Sequence, residues 1–142
     1  MKVINMLKNQ HCTFSGDTTI DPIKTIKTFQ DVCNVAKANI GHYILPRTAT
    51  KNDIRDNAYD KLKLIISVFN QGWEPNYSDD NERKWFPYFT YDKNSGAFVC
   101  YYFNSYASNA NVGSRLVFKS QELAIFAGEL FIEIYNEYLK YN

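Results

Sequence analysis

The chain has 142 residues, 45% of them apolar and 22% charged, with a formal net charge of +1. That length supports one sizeable core and is short for two. Near-neutrality removes any general electrostatic case for nucleic acid or an anionic membrane. No apolar run approaches the length of a membrane span, so a membrane partner is not expected.

The charge is unevenly spread. Residues 1–72 hold ten lysines and arginines against six acids, and residues 73–142 hold six against nine. The basic half is mild, and its lysines are scattered as on solvated helix faces. Aromatics are the unusual feature, at 16%, with eleven Tyr and ten Phe. A tyrosine combines an apolar ring with a hydroxyl that needs a partner, so this composition points to a rich core or a rich interface. The cysteines, Cys12, Cys33 and Cys100, are odd in number and form no CxxC pair. That spacing argues against a disulfide framework and fits a reducing compartment.

Residues 1–14 begin with an apolar run over residues 3–7, expected as a short strand or helical turn. Asn5 interrupts the run and no small-residue cleavage site follows, so a secretory leader is not expected. Residues 15–22 read as loop. Thr28 with Asp31 forms a capping pair, followed by a helix with Phe29, Val32, Cys33 and Ala36 on one face, stopping near Gly41. Pro46 biases Leu45 to an extended conformation. Thr50 and Asp53 repeat the capping arrangement before the clearest helix of the first half. Ile54, Ala58, Leu62, Ile65, Ile66 and Phe69 line one side of it, and Gly72 ends it.

Residues 76–83 are polar and read as a loop. Residues 85–91 form an aromatic strand whose Pro87 cannot donate to a ladder, which marks an edge. Residues 92–96 make a turn with Gly96 available for positive φ. Residues 97–102 are the return strand. A polar turn over residues 104–111 leads to a third strand at residues 114–118. Ser120 then caps a long helix from about 121 to 139, with Leu123, Phe126, Ala127, Leu130, Ile134 and Tyr138 at three- and four-residue spacing.

The expected fold is therefore α+β: a three-stranded antiparallel meander packed by a long C-terminal helix, with two or three further helices from the N-terminal half. The chain reads as one domain over residues 1–142. Residues 1–50 are its helical and loop part, and residues 51–142 its helix, sheet and C-terminal helix unit.

Four segments carry a resemblance: Ala58-Tyr-Asp-Lys-Leu62, Asn70-Gln-Gly-Trp-Glu-Pro75, Trp85-Phe-Pro-Tyr-Phe89, and the run from Val112 through Gly113-Ser-Arg115 to Gly128. In this order they resemble a family of small uncharacterised proteins from Bacteroides-type gut bacteria, their prophages and their phages. The likeness covers roughly residues 55–140. It implies a context and no catalytic residues: a phage or mobile-element accessory protein in a bacterial host cytoplasm, or a virion component.

His11, Cys12, Cys33 and His42 are zinc-ligand types, but no two form a close knuckle; Cys33 reads as a core residue and the histidines as loop residues. Cys100, between Val99 and Tyr101, reads as core, since a nucleophilic cysteine needs an activating base or positive surroundings. Glu129, Glu133 and Glu137 share a helix face with no histidine pattern, which reads as a solvated stripe. Asp79, Asp80 and Glu82 cluster in a loop that could hold a hard cation. Phosphate loops, zinc-protease motifs and serine elbows are missing from the sequence, so neither catalysis nor a cofactor or metal is expected.

The better lead is the aromatic pair of strands. Simple alternation puts Tyr101 and Phe103 on one face and Tyr102 with Cys100 on the other. The candidate binding residues are Tyr88, Tyr91, Tyr101, Phe103 and Tyr106, with Arg83, Lys84, Arg115 and Lys119 as basic companions. An exposed aromatic face suits a protein partner, including a second copy, or stacked bases. Four cations are too few for a strong phosphate track, so protein binding is the expected mode and nucleic-acid binding the alternative. Arg115 has a plainer role open to it, pairing with Asp92 or Glu122.

Overall fold

The computed structural model describes residues 16, 19–110 and 115–140. The expectations for residues 1–14, including His11 and Cys12, and for Gly113 and Ser114 lie outside these. The order of elements is α1 (Pro22–Thr25), α2 (Phe29–Ala36), a 3-10 turn (Ile40–Tyr43), α3 (Lys51–Asn70), β1 (Lys84–Asp92), β2 (Ala97–Tyr106), α4 (Gln121–Leu130) and α5 (Ile132–Leu139).

The capping logic of the first half is realised in hydrogen bonds. Thr28 Oγ1 accepts from Asp31 N while Asp31 Oδ2 accepts from Thr28 N, and Thr50 and Asp53 repeat the exchange. Each box satisfies donors that a helix start leaves unpaired. Asp21 caps the one-turn α1, with Pro22 at its first position, where the missing N–H costs nothing. Helix α2 ends earlier than Gly41, because Lys37 turns into the left-handed region at φ 55. Helix α3 stops through two successive positive-φ residues, Gln71 and Gly72.

The third expected strand is reduced to a single bridge. Trp85 N donates to Phe118 O at 2.9 Å and Phe118 N donates to Trp85 O at 2.6 Å, and the pairing goes no further. Alternate residues of a strand direct their main-chain groups to the same side, so Pro87 should present its nitrogen where Trp85 does. Pro87 has no N–H to offer the next pair. In the other direction Ser120 already caps α4. The result is a two-stranded antiparallel sheet, not a three-stranded meander.

The expected long C-terminal helix is also divided, at Phe131, where ψ reaches 28°. Hydrogen bonds continue on both sides, from Phe131 N to Ala127 O and from Tyr135 N to Phe131 O. The break lets α4 lie on β1 and β2 while α5 leans on α3. Buried Phe131 packs against Phe69 at the centre of the core, and Phe69 also meets Phe118 edge-on and Phe126 at a tilt.

Helix α4 approaches the hairpin closely because residue 128 is glycine. A Cβ there would lie 2.6 Å from Pro87 Cβ and 3.0 Å from Cys100 Sγ.

Two asparagines on helices close the sheet's margins. Asn70 Nδ2 donates to Val117 O and its Oδ1 accepts from Lys119 N, at 2.9 and 3.0 Å. Asn136 Nδ2 donates to Phe98 O and its Oδ1 accepts from Phe98 N, at 2.8 and 2.7 Å. Each carboxamide offers the donor and acceptor that a neighbouring strand would supply. Exposed strand edges invite unwanted pairing, and such covers blunt them.

Candidate functional site: the outer face of the hairpin

The β1–β2 ladder contains a bulge. Tyr88 pairs with Tyr102 and Phe89 with Cys100, which leaves Tyr101 as the extra residue. Paired residues share a face, and a bulge resets alternation along the strand that carries it. Pro87 and Cys100 both approach Gly128 on the helix side, and Phe103 is the register partner of Pro87. Cys100 and Phe103 therefore share the helix-facing side. Tyr102 stands opposite Tyr88 on the outer side, with Val99 opposite Thr90. This corrects the simple count that grouped Tyr101 with Phe103 and Tyr102 with Cys100.

The outer face is both aromatic and open. Tyr101 is 73% exposed, Tyr102 60% and Tyr88 52%, with Val99 also exposed. Tyr91 is exposed at the turn end, edge-on to Phe98. Among the described residues, the other exposed large apolar side chains are only Ile44 and Ile54. Neither residues 85–91 nor residues 97–106 contain a charged side chain. Phe103 is half-buried and tilted against Trp85, and the Tyr102 ring folds around the margin of β2 to stack on it, while Tyr106 is half-buried on Phe86. Tyr102 and Val99 were not among the candidates from sequence, because a bulge leaves no mark in a run of β-formers.

The basic companions do not gather on this face. Lys84 is completely buried. Its Nζ donates to Glu82 O at 2.7 Å and Asp79 O at 3.1 Å, sits 3.4 Å from Glu82 Oε1, and lies over the Tyr77 ring. Glu82 Oε1 in turn accepts from Asn76 N, and Ser108 Oγ donates to Asp80 to tie the loop to the end of β2. The acidic loop that could have taken a hard cation thus folds around the chain's own ammonium, and Lys84 is unavailable to a phosphate. Lys119 Nζ donates to Gln71 Oε1. Arg83 and Arg115 are exposed, and neither Asp92 nor Glu122 forms an ion pair with Arg115. The Asp92 carboxylate instead accepts from Asn94 N and Ser95 N, which holds it below its ordinary pKa.

The reactive residues considered in the sequence lie elsewhere. Cys33 is buried in α2, and burial raises its thiol pKa. Burial, and then the charge of Glu129, raise that of Cys100. Both shifts disfavour the thiolate. His42 is exposed in the 3-10 turn, and Glu129, Glu133 and Glu137 are exposed. No group of three or more metal-ligating side chains occurs among the described residues, nor does a helix long and apolar enough to cross a membrane. The Tyr135 hydroxyl is buried beside the Phe89 ring, has no hydrogen-bond partner, and has its pKa strongly raised by burial.

In comparisons with known proteins, no family model, curated protein or solved structure matches this chain.

Proposed function

We propose that this protein works without catalysis, by binding protein through the outer face of its hairpin. The observation that carries this is the charge-free face around Tyr88, Tyr101 and Tyr102. Interface centres are enriched in tyrosine and depleted of charge. The resemblance of residues 55–140 to small proteins of Bacteroides-type bacteria and their phages supplies the context of a phage or mobile-element accessory protein, acting in the host cytoplasm or in the virion.

The rival is a single-stranded nucleic acid stacked on the same rings. It needs cations interleaved with the aromatics, and two of the four basic candidates are already engaged, Lys84 inside its loop and Lys119 on Gln71. A titration with a single-stranded oligonucleotide at low and moderate salt tests the choice. Protein binding predicts no oligonucleotide complex at either salt. Tight binding at low salt that collapses as salt rises, the mark of counterion release, would defeat the proposal.

A further inference from the structure

We infer that the occupant of this face is a second copy of the chain, docked face to face about a two-fold axis. The inference rests on the protein-binding proposal and adds the partner. A two-fold contact presents the same patch from both sides. A patch bearing charge of one sign would repel itself, whereas this one bears none between residues 85 and 91 or 97 and 106. A tyrosine hydroxyl both donates and accepts, so Tyr88, Tyr101 and Tyr102 can satisfy their own symmetry mates. A net charge of +1 adds little long-range repulsion between copies.

The covered Phe98 margin and the bulge at Tyr101 both work against pairing of strand edges. That leaves the faces, and a face consumed by one partner closes the assembly at two. The size fits a weak dimer. Scaling ~150–250 Å² per aromatic by their exposures, the three tyrosines offer about 300–450 Å² per copy. Doubled, that lies below the ~1,200 Å² at which stable interfaces begin, so association should be reversible and concentration-dependent.

Sedimentation velocity over a wide concentration range tests this, on the wild type, Tyr102→Glu, and Ile44→Glu as a control exposed away from the hairpin. The wild type and Ile44→Glu are expected to dimerise alike, with Tyr102→Glu weakened roughly 30-fold or more, the effect of losing a hot spot. Circular dichroism confirms that the variant is folded, and Tyr101→Glu replaces it if it is not. A wild type that stays monomeric throughout overturns the second copy as partner. A dimer unchanged in the hairpin variants overturns it too, by placing the contact elsewhere. Neither result is the oligonucleotide complex that would defeat protein binding itself.

Discussion

Replacing Gly128 with alanine sets two effects of opposite sign against each other. Alanine in a helix interior gains about 1 kcal/mol over glycine from backbone entropy alone. Against this, the new methyl would stand 2.6 Å from Pro87 Cβ and 3.0 Å from Cys100 Sγ. Pro87 cannot swing aside, since its ring is fixed to the backbone of β1. Relief requires α4 to lift by about 1 Å, which forfeits a quarter to a half of the dispersion energy along that contact. Overpacking of this kind costs about 1–3 kcal/mol, and a rigid neighbour puts the cost near the top of that range. The net expectation is a loss of about 2 kcal/mol, or roughly 7 °C in Tm. Equilibrium urea unfolding of Gly128→Ala measures it through the midpoint, with the slope unchanged. A variant as stable as the wild type, or more so, would refute the close approach of α4 to the hairpin.

Lys84→Met keeps the aliphatic stem but removes the ammonium from its cage of two carbonyls and the Glu82 carboxylate. Breaking a buried pair costs ~3–5 kcal/mol, and partial exposure of Glu82 reduces this to about 2–3 kcal/mol. Hydrogen exchange should show residues 76–83 losing protection before the helices do; unchanged exchange there would contradict the pinned loop. The capping boxes predict an acid dependence. Backbone hydrogen bonds lower the pKa values of Asp31 and Asp53 below their ordinary 3.8, so the folded state binds fewer protons there than the unfolded chain. Their contribution is fully present above the ordinary value and is lost as pH falls through the lowered one. Asp31→Asn and Asp53→Asn should flatten the acid side of the stability curve below about pH 4, whereas a curve of unchanged slope would contradict the boxes. Tyr135→Phe removes a buried hydroxyl with no partner, so it should be neutral or stabilising by up to about 1 kcal/mol. A clear destabilisation in thermal melts would mean that the hydroxyl is bonded.

Helices α2 and α3 were legible because their start signals are local, whereas the one-turn α1 was missed although Asp21 and Pro22 mark it. Thr28 with Asp31, and Thr50 with Asp53, mark their starts in four residues of sequence, and the stripe from Ala58 to Phe69 fixes which side of α3 is buried. The turn at residues 92–96 was equally plain from Asp92 and Gly96. Most of the failures in the sheet and the C-terminal helix involve long-range partners. The residues after 114 alternate like a strand, but whether they pair depends on Pro87, nearly thirty positions earlier. The three-four spacing through Phe131 looks continuous, and nothing in it marks the division of the helix there. The carboxamides of Asn70 and Asn136 sit among apolar neighbours, at Phe69 and Tyr135, and that incongruity was the available sign of a buried polar task. Lys84 read as a surface cation because nothing local says that residues 79 and 82 turn their carbonyls inward. At the candidate site, the abundance of tyrosine was visible from composition. The side each ring takes was not, because the bulge at Tyr101 shifts the count.

The central claim, that the charge-free tyrosine face of the hairpin is where a second copy docks, is tested most directly by amide chemical shifts followed as protein concentration rises from low micromolar to near millimolar. The account predicts progressive shifts centred on Tyr88, Val99, Tyr101 and Tyr102, with α2 and the exposed side of α3 unmoved. Shifts centred instead on the helices, or spectra that do not change with concentration at all, would contradict it.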